Sequence, residues 1–446
     1  MPVRQIDGYH ATHGRGRGAR IVLTTFGSLG DLHPYVAIAL GLQARGHDPV
    51  IATSDLYQAR VQALGLGFCP VRPDRVEQLG DPGMMERMRE TKRGPDQVFR
   101  DMFMPSLRES YLDTLTAARG ADLLISHTLA FATRLVAERT GIPWVSSVLQ
   151  PLALFSAYDP PAVGPAALVS SLLALGPAVH RPLVRGAKWS LRGWSEPWHE
   201  LRAEVGLPPT DQNPIFDGQH SPLLVLALFS HLIGARQPDW PGQTVVTGFP
   251  FFDERRQELP ATLARFLDDG PPPIVFTLGT SAVMQAGAFY EQSAAAAAML
   301  GRRAVLLTGK DPRNRPSKLP AGVIAVDYVP FGALFPHAAV VVHQGGIGTT
   351  AEAMRTGRPM LVVPFAHDQP DNARRVSKLR IGRTLSRRAY TAERVAAKLG
   401  QLLDDRGVAM RAAKVGAAVR AEAGVDAACD AIEAAIGAVV RSPDAG

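Results

Sequence analysis

Short apolar runs recur along the whole chain and are separated by longer segments of helical character. In the first half they include residues 21–23, 50–52 and 123–125, and in the second half residues 340–342 and 360–363. Because these runs lack a polar alternation, they are typical of strands that helices cover on both faces, as in parallel sheets. Two such sets predict an α/β protein with two Rossmann-like, doubly wound domains, whose ligands lie beyond the carboxyl ends of the strands.

The division between the two domains is predicted from a cluster of turn residues. The sequence Arg-Gln-Pro-Asp-Trp-Pro-Gly at residues 236–242 interrupts the alternation of strands and helices. We therefore expect a first domain over residues 20–237 and a second over residues 238–424. Residues 1–19 are polar and glycine-rich and are expected to form a disordered lead-in. The helical segment 425–446 is expected to pack back on the first domain.

Charge and cysteine content limit the classes of partner. The formal net charge is +7, but the basic residues are dispersed, and their densest cluster, residues 374–388, lies outside any nucleic-acid-binding motif. We interpret that cluster as a solvated face and not a nucleic-acid site, with a peripheral contact to anionic lipid headgroups as an alternative. Cys69 and Cys429 are the only cysteines, which excludes a disulfide scaffold or a cysteine-based zinc site and favours a cytoplasmic location.

The sequence after residue 342 has the chemistry of an anion site. An apolar strand ends there, a glycine-rich turn follows, and a helix is predicted to begin near Thr349. Glycines allow close approach to a ligand, and the helix start offers unpaired N–H groups and a positive dipole end. A purely structural turn is the alternative interpretation. The candidate ligand-binding residues are His343, Gly345, Gly346, Gly348, Thr349, Thr350 and Glu352.

A second polar cluster follows the next predicted strand, at residues 364–373. Asp368 and Gln369 present hydrogen-bond acceptors and donors that suit the hydroxyl groups of a hexose. Asp368 could instead only cap the helix that follows it.

These two clusters carry a family resemblance. The run from His343 to Asn372 resembles the signature of the family 1 glycosyltransferases, the UDP-glycosyltransferase superfamily with the GT-B fold, in which two Rossmann-like domains face each other across a cleft. Residues 26–31 and 365–372 are most similar to the branch with bacterial sterol glucosyltransferases and the rhamnosyltransferase of rhamnolipid synthesis. The resemblance implies that the first domain binds the acceptor and the second the nucleotide-sugar.

The resemblance also implies roles for single residues. His343 and the helix start would hold the diphosphate, Glu352 the ribose, and Asp368 with Gln369 the sugar. Tyr328 lies where many members stack an aromatic ring on the base, with an ordinary strand tyrosine as the alternative. Two further residues would approach the donor from the loop after residue 279, with a plain turn as the alternative; these are Thr280 and Ser281.

A catalytic base is expected at the carboxyl edge of the first sheet. Many family members carry a histidine in the first loop and an aspartate after a later strand, whereas this chain has Asp31 in the first loop and His127 in the later one. Asp31 could instead cap a helix that begins near Pro34, and His127 could be a structural histidine. Resemblance to the sterol and rhamnosyl branch favours Asp31 as the base, with His127 assisting.

The sequence therefore predicts an inverting glycosyltransferase that needs no metal and no further cofactor. It would move a hexose, glucose first, from a donor of the UDP-glucose or dTDP-rhamnose type to a hydroxyl of a lipophilic acceptor such as a sterol, polyketide, phenol or hydroxy-lipid. Alternatives are a nucleotide-sugar epimerase or hydrolase, and a non-catalytic nucleotide-sugar or lipid-binding protein. The acceptor pocket is expected to include Trp144, Leu149, Phe155 and Tyr158.

Overall fold

The computed structural model describes residues 18–73, 103–162, 175–190, 192–253, 259–280 and 282–441. Two wholly parallel sheets organise these residues, one in each half of the chain. Helices cover both faces of each sheet, which explains why the strands are buried without polar alternation. The predicted fold class, two Rossmann-like domains, is confirmed.

The first sheet contains seven strands in the order β3-β2-β1-β4-β5-β6-β7. Its strands are β1 (Arg20–Thr24), β2 (Asp48–Thr53), β3 (Gly67–Pro70), β4 (Leu123–His127), β5 (Trp144–Val148), β6 (Val225–Ala227) and β7 (Thr244–Val246). The helices of this half are α1 (Leu29–Ala44), α2 (Gln58–Gln62), α3 (Leu107–Ala117), α4 (Phe131–Thr140), α5 (Pro177–Ser190) and α6 (Glu196–Glu204).

The second sheet contains six strands in the order β10-β9-β8-β11-β12-β13. Its strands are β8 (Ile274–Thr277), β9 (Ala304–Leu307), β10 (Val323–Val326), β11 (Val340–His343), β12 (Met360–Val362) and β13 (Gly382–Thr384). The helices are α7 (Ala261–Asp268), α8 (Phe289–Met299), α9 (Phe331–Leu334), α10 (Ile347–Thr356), α11 (Gln369–Lys378), α12 (Ala392–Asp404), α13 (Arg406–Ala421) and α14 (Gly424–Arg441).

Two features concern the division of the chain. Strand β7 pairs with β6 in the first sheet, so a boundary at residue 237 would detach β7 from the sheet to which it belongs. The turn residues at 236–242 connect two strands of one sheet, and the crossing to the second domain comes after Val246. At the other end, α14 packs on α1, where Arg45 binds Asp430 and Glu433 at 2.5 and 2.8 Å.

Helix α1 begins earlier than the sequence suggested. Ser28 is its N-cap, and Ser28 and Asp31 form a capping box, so the helix starts at Leu29 and Pro34 lies inside it. The capping box satisfies the first free N–H groups, which a start at Pro34 would have left without partners. Asp31 therefore lies in the first helical turn and not in a loop.

Candidate functional site

The turn between β11 and α10 is shaped by Gly345. Its φ angle of +94° is one that side chains rarely tolerate. A Cβ atom here would lie 2.7 Å from the Val362 Cγ1 atom on the neighbouring strand. Gly346 is the N-cap of α10 and supplies no side chain to the helix start. No side-chain cap from Gly346 therefore covers the start of α10, the arrangement on which the predicted anion site depends. That an anion binds there stays a prediction.

Asp368 lies at the start of α10 as well as at the start of α11. Its Oδ2 atom accepts a hydrogen bond from the Ile347 backbone N–H at 3.2 Å and one from Asn372 Nδ2 at 2.7 Å. Asp368 precedes α11 but makes no side-chain cap bond to that helix. The alternative that Asp368 only caps α11 is therefore not what the structure shows. A carboxylate therefore already binds one of the N–H groups at the start of α10.

Asn372 and Gln344 belong to this site, although the sequence did not single them out. Asn372 Nδ2 also donates to the Gly345 carbonyl oxygen at 2.9 Å, which joins α11 to the glycine turn. Gln344 Nε2 donates to Thr349 Oγ1 at 3.4 Å, and the Gln344 Oε1 and Asn372 Oδ1 atoms are buried without a partner. The available signal for Gln344 was its place beside the glycine turn, and for Asn372 its place in the polar cluster 364–373.

His343 differs from the expectation that it donates to a phosphate oxygen. The ring is fully buried, its Nδ1 atom accepts from the Gly345 N–H at 3.1 Å, and Nε2 lies 3.5 Å from Met360 Sδ. Burial lowers the pKa of His343 to about 3, so the ring is neutral at physiological pH. Both ring nitrogens are engaged within the chain, and the ring supports the turn from below.

Thr350 and Gln369 are also placed by contacts within the chain. Thr350 Oγ1 donates to the Gly346 carbonyl oxygen at 2.9 Å. Gln369 Oε1 accepts from the backbone N–H groups of Phe365 and Ala366 at 2.8 and 3.0 Å. Thr280 is exposed on the loop after β8, next to Gly279, whose Cα faces Gln344 and Thr349. Ser281 lies outside the described residues.

Glu352 lies on α10 with its side chain largely buried. Its Oε2 atom is buried without a partner, and its Oε1 lies 3.9 Å from Arg355 Nη1, which is mainly bound to Asp253. Burial raises the pKa of Glu352 to about 7, an effect that Arg355 partly opposes. Tyr328, whose side chain is 42% exposed, follows β10 at the same carboxyl edge of the second sheet.

Asp31 stands at the carboxyl edge of the first sheet. Its Oδ2 atom accepts hydrogen bonds from the Ser28 backbone N–H at 2.8 Å and from Ser28 Oγ at 3.1 Å. Burial raises its pKa to about 6 although the bonds from Ser28 act in the opposite direction. Asp31 is therefore both a helix-capping residue and a carboxylate of raised basicity, so the two interpretations of the sequence are not exclusive.

His127 ends β4, the strand next to β1. The side chain is buried, its Nδ1 atom has no hydrogen-bond partner, and its ring packs edge-on against Tyr35 with centroids 5.9 Å apart. Burial lowers the pKa of His127 to about 4. The ring is therefore neutral at physiological pH and contacts Tyr35 of α1.

The two halves of the site meet at the starts of α1 and α10. A Cβ atom on Gly348 would lie 3.4 Å from the Cα atom of Gly30. Burial raises the pKa of Asp368 to about 7, and the charge of Asp31 contributes to that rise. Carboxylates from both domains therefore share one electrostatic environment where the two helix ends touch.

The four residues predicted to line the acceptor pocket do not come together. Leu149 is buried in the core beside β5, and Tyr158 accepts a hydrogen bond from Arg181 at 2.9 Å. Trp144 and Phe155 line a cavity of about 850 Å³, but neither Asp31 nor His127 lines it. The reason is that Trp144 begins β5, whereas ligands approach the opposite, carboxyl end of the strands.

Two segments expected near the acceptor, a metal site and a membrane span can be assessed only in the described part of the chain. The sequence also suggests a flap over the acceptor at the methionine-rich segment 84–104 and a pocket wall at the apolar segment 162–179. Residues 84–102 of the first and 163–174 of the second lie outside the described part. Among the described residues, no three His, Cys, Asp or Glu side chains form a group that could hold a metal ion. Within the same ranges, no helix is long and apolar enough to cross a membrane.

Two family models match the chain. Residues 21–154 match the glycosyltransferase family 28 N-terminal domain, and residues 294–431 match the C-terminal domain described as erythromycin biosynthesis protein CIII-like. The second match covers the whole β11–α11 region, including His343, Glu352 and Asp368.

Similar proteins are found among curated sequences. The O-mycaminosyltylonolide 6-deoxyallosyltransferase of Streptomyces fradiae is 34% identical over 432 residues, which cover 93% of this chain and 97% of that protein. A sterol 3-beta-glucosyltransferase of Gibberella zeae is 27% identical over 93% of this chain, which spans only 29% of that longer protein.

Solved structures share the fold. The glycotransferase of kitacinnamycin aligns with a TM-score of 0.71 and 24% identity, covering 94% of this chain and all of that one. The glycosyltransferase VinC in complex with DTDP aligns with a TM-score of 0.66 and 21% identity, covering 93% of this chain and 99% of that one.

Proposed function

The chain belongs to the family 1 glycosyltransferases of GT-B fold, and on that premise we propose that it moves a hexose from a nucleoside diphosphate to a hydroxyl group of a lipophilic small molecule. The observation that carries the proposal is the contact between the two helix starts. It brings a carboxylate of the first domain, Asp31, next to the anion site of the second, where Asp368 binds the Ile347 N–H.

On the donor side, the start of α10 receives the diphosphate through its backbone N–H groups, with Thr349 and Thr350 at the same helix end. Glu352, whose Oε2 atom has no partner, takes the free hydroxyls of the nucleoside pentose, which are two in UDP and one in dTDP. Asp368 and Gln369 take the sugar hydroxyls, and the ring of Tyr328 stacks on the base. His343 keeps the turn in shape, because both of its nitrogens are bound to Gly345 and Met360.

On the acceptor side, Asp31 is the proposed base. Both bonds from Ser28 go to Oδ2, so Oδ1 is the atom that we assign to the acceptor hydroxyl. A pKa of about 6 leaves Asp31 ionised at neutral pH and makes it a stronger base than an ordinary aspartate. His127 assists from beneath, as a neutral ring that polarises the environment of Tyr35 and Asp31.

The reaction is a single in-line displacement. The acceptor oxygen loses its proton to Asp31 and forms a bond to the anomeric carbon, while the bond from that carbon to the diphosphate breaks. Because attack and departure occur on opposite faces, the anomeric configuration is inverted, through an oxocarbenium-like state. Charge that develops on the leaving diphosphate is met by the start of α10, so the proposed mechanism requires no divalent metal.

The relatives refine the donor and acceptor. The Streptomyces fradiae protein is named for a 6-deoxyhexose and a tylonolide acceptor, and the VinC structure holds a thymidine diphosphate. We therefore favour a dTDP-deoxyhexose over the UDP-glucose that the sequence put first, and a polyketide alcohol over a sterol. Nuclear magnetic resonance of the product would establish the linkage.

The proposed location is the cytoplasm, since Cys69 and Cys429 are both free. We also propose a peripheral contact with anionic lipid. Helix α5 exposes Leu183 and Trp189 together with Arg181 and Arg185, a combination that suits a membrane surface. Sedimentation with vesicles of anionic and of neutral lipid would test this, and equal recovery in both pellets would contradict it.

The decisive experiment is a donor-by-acceptor panel read by mass spectrometry. The panel combines UDP- and dTDP-linked sugars with macrolide aglycones, sterols and phenols, with wild type and Asp31→Asn side by side. Transfer that depends on Asp31 supports the proposal. Release of free sugar with no acceptor product would favour the hydrolase alternative, and full turnover by Asp31→Asn would refute the assigned base.

A further inference from the structure

The segment that follows β5 is held firmly on the first domain. Residues 156–162 come after β5, and the Asp239 carboxylate accepts hydrogen bonds from Ser156 Oγ at 2.6 Å and from the Ala157 N–H at 2.7 Å. Ala157 lines the cavity that Trp144 also lines, and Ala162, at the other end of the segment, contacts α11 of the second domain.

Asp159 connects this segment to the second domain. Its Oδ2 atom accepts from Arg375 Nη1 at 2.5 Å, and its Oδ1 accepts from Arg374 Nη2 at 3.1 Å. Both arginines are on α11, and Arg375 Nη1 also donates to the Ile233 carbonyl oxygen of the first domain at 2.9 Å. Burial disfavours the charge of Asp159, but the two arginines outweigh it and lower its pKa.

Asp371 completes the network from within α11. Its Oδ2 atom accepts from Arg375 Nε at 2.6 Å, and its Oδ1 accepts from Arg374 Nη2 at 3.1 Å. Oδ1 also accepts from the Ala162 N–H of the first domain at 3.0 Å. Two carboxylates and two guanidinium groups thus balance in charge, and we call these four residues the interdomain clasp: Asp159, Asp371, Arg374 and Arg375.

The clasp is largely shielded from water. The side chains of Asp371 and Arg375 are only 1% and 5% exposed, and those of Asp159 and Arg374 are 12% and 24% exposed. Charges in such surroundings are weakly screened, and loss of one partner leaves the other buried and unpaired. The arrangement is therefore far more sensitive to one neutralising substitution than a surface ion pair would be.

The position of the clasp links it to the sugar site. Helix α11 begins at Gln369, directly after Asp368, and Asp371 is in its first turn. Whatever fixes α11 against the segment 156–162 also fixes the distance between the sugar-binding residues and the acceptor edge. The proposed diphosphate site at the start of α10 is joined to α11 within the second domain, through Asp368 and Asn372. Loss of the contact with the first domain therefore leaves that site intact and changes only its position relative to the first domain.

We propose that Asp159 is a positioning residue for transfer: through Arg374 and Arg375 it holds the proposed sugar-binding end of α11 against the first domain, which is proposed to bind the acceptor. This rests on the proposed function of the site. The clasp acts on alignment of the sugar with the acceptor and leaves binding of the nucleoside diphosphate unchanged.

The test compares Asp159→Asn and Asp159→Glu with wild type in three measurements: kcat for transfer, Kd for UDP and dTDP by calorimetry, and thermal unfolding. Asp159→Asn is expected to lower kcat about tenfold or more, in the range of coupled charged pairs, with both Kd values within about twofold of wild type. Asp159→Glu, which keeps the charge, is expected to recover part of kcat. Asp113→Asn is the matched control, because Asp113 pairs with Arg72 at 2.8 Å inside the first domain.

Each outcome has a distinct meaning. Unchanged kcat in Asp159→Asn, or equal loss of kcat and nucleotide affinity, overturns the clasp. If Asp159→Asn does not fold, the more exposed Arg374→Gln decides by the same split between kcat and Kd. If wild type binds the nucleotide but transfers no sugar to any acceptor, the proposed function fails. Small-angle scattering of Asp159→Asn then still tests the clasp, because a radius of gyration equal to that of wild type would overturn it.

Discussion

Gly30 and Gly348 bring the two domains into backbone contact. Each lies in the first turn of its helix, and a methyl group on Gly348 would lie 3.4 Å from Gly30 Cα and 3.8 Å from the Gly30 carbonyl oxygen. Pro34 has no N–H group, so that carbonyl lacks its usual partner within α1. A side chain larger than alanine at Gly348 would push against the Gly30 backbone, whereas a Cβ atom on Gly30 would meet only Ser28 Oγ, at 3.5 Å.

Gly348 can therefore be used to measure how close the domains must come. We expect Gly348→Ala to keep most of the transfer activity, since 3.4 Å is an ordinary contact. Gly348→Val adds carbons about 1.5 Å further out, and should lower kcat about tenfold or more by forcing the helix starts apart. Both variants should unfold near the wild-type temperature. Equal kcat for alanine and valine would show that this contact is irrelevant to transfer.

The raised pKa of Asp31 predicts how activity depends on pH. The proposed base must be ionised, so kcat/KM should fall as the pH drops through about 6, the pKa of this carboxyl group. A pH–rate profile at saturating donor would measure it. A profile that breaks near 4, the usual range of an aspartate, would argue against a buried base at this position.

The same shift makes a prediction for stability. Because the folded pKa of Asp31 is above the unfolded value, the folded state binds more protons between about pH 4 and 6, and this group's contribution to stability declines as pH rises through that window. Asp31→Asn removes that penalty and should be more stable than wild type at pH 8 by about 1–2 kcal/mol. The difference should vanish below pH 4. Thermal unfolding of both proteins at pH 8 and below pH 4 measures this difference in stability. No difference at pH 8, or a more stable wild type there, would contradict the prediction.

Glu352 and His343 should differ although both belong to the donor signature. Glu352→Ala removes a carboxylate with an unpartnered oxygen, so we expect about tenfold to hundredfold weaker UDP binding with no loss of stability. His343→Ala leaves a cavity and an unpaired Gly345 N–H, so it should destabilise the fold by about 2–4 kcal/mol. Calorimetry and thermal unfolding separate the two. Unchanged UDP affinity in Glu352→Ala would contradict the ribose assignment.

The sequence predicted the sheets and the glycine turn because both have local signatures. Uninterrupted apolar runs are sufficient for parallel strands, and a strand followed by Gly345 and Gly346 is sufficient for a helix start. It could not show that Asp368 would bind the Ile347 N–H, since that contact joins residues 21 positions apart. The start of α1 was mistaken because Pro34 is a stronger local signal than Ser28.

The acceptor side was less predictable for a physical reason. Aromatic residues near β5 were grouped by their apolar character, but Trp144 and Leu149 lie at opposite ends of that strand. Which end faces the cleft follows from strand direction, whereas burial of Leu149 follows from contacts with β6 and α1 that only the folded chain reveals. The charges of the interdomain clasp are equally hidden, since Asp159 and Arg375 are 216 positions apart.

Asn372 gives a final test of how the site is built. Its amide donates to both the Gly345 carbonyl oxygen at 2.9 Å and Asp368 Oδ2 at 2.7 Å. It therefore fixes the position of the glycine turn relative to Asp368, the carboxylate that we propose binds the sugar. Asn372→Asp is nearly the same size but loses both donors and adds a negative charge beside Asp368. Like charges in a buried site disfavour each other's ionisation, which would raise the pKa of Asp368 further.

We therefore expect Asn372→Asp to lower kcat about a hundredfold at pH 7, through the loss of two hydrogen bonds to the site, and to recover partly above pH 8 if the loss comes from protonation of Asp368. Asn372→Ala, which lacks the added charge, should lose stability by about 1–3 kcal/mol but show no such recovery. Transfer rates of both variants between pH 6 and 9 provide the measurement. Identical pH profiles for the two would mean that Asn372 acts only on the turn, and that the charge of Asp368 does not contribute to binding the sugar.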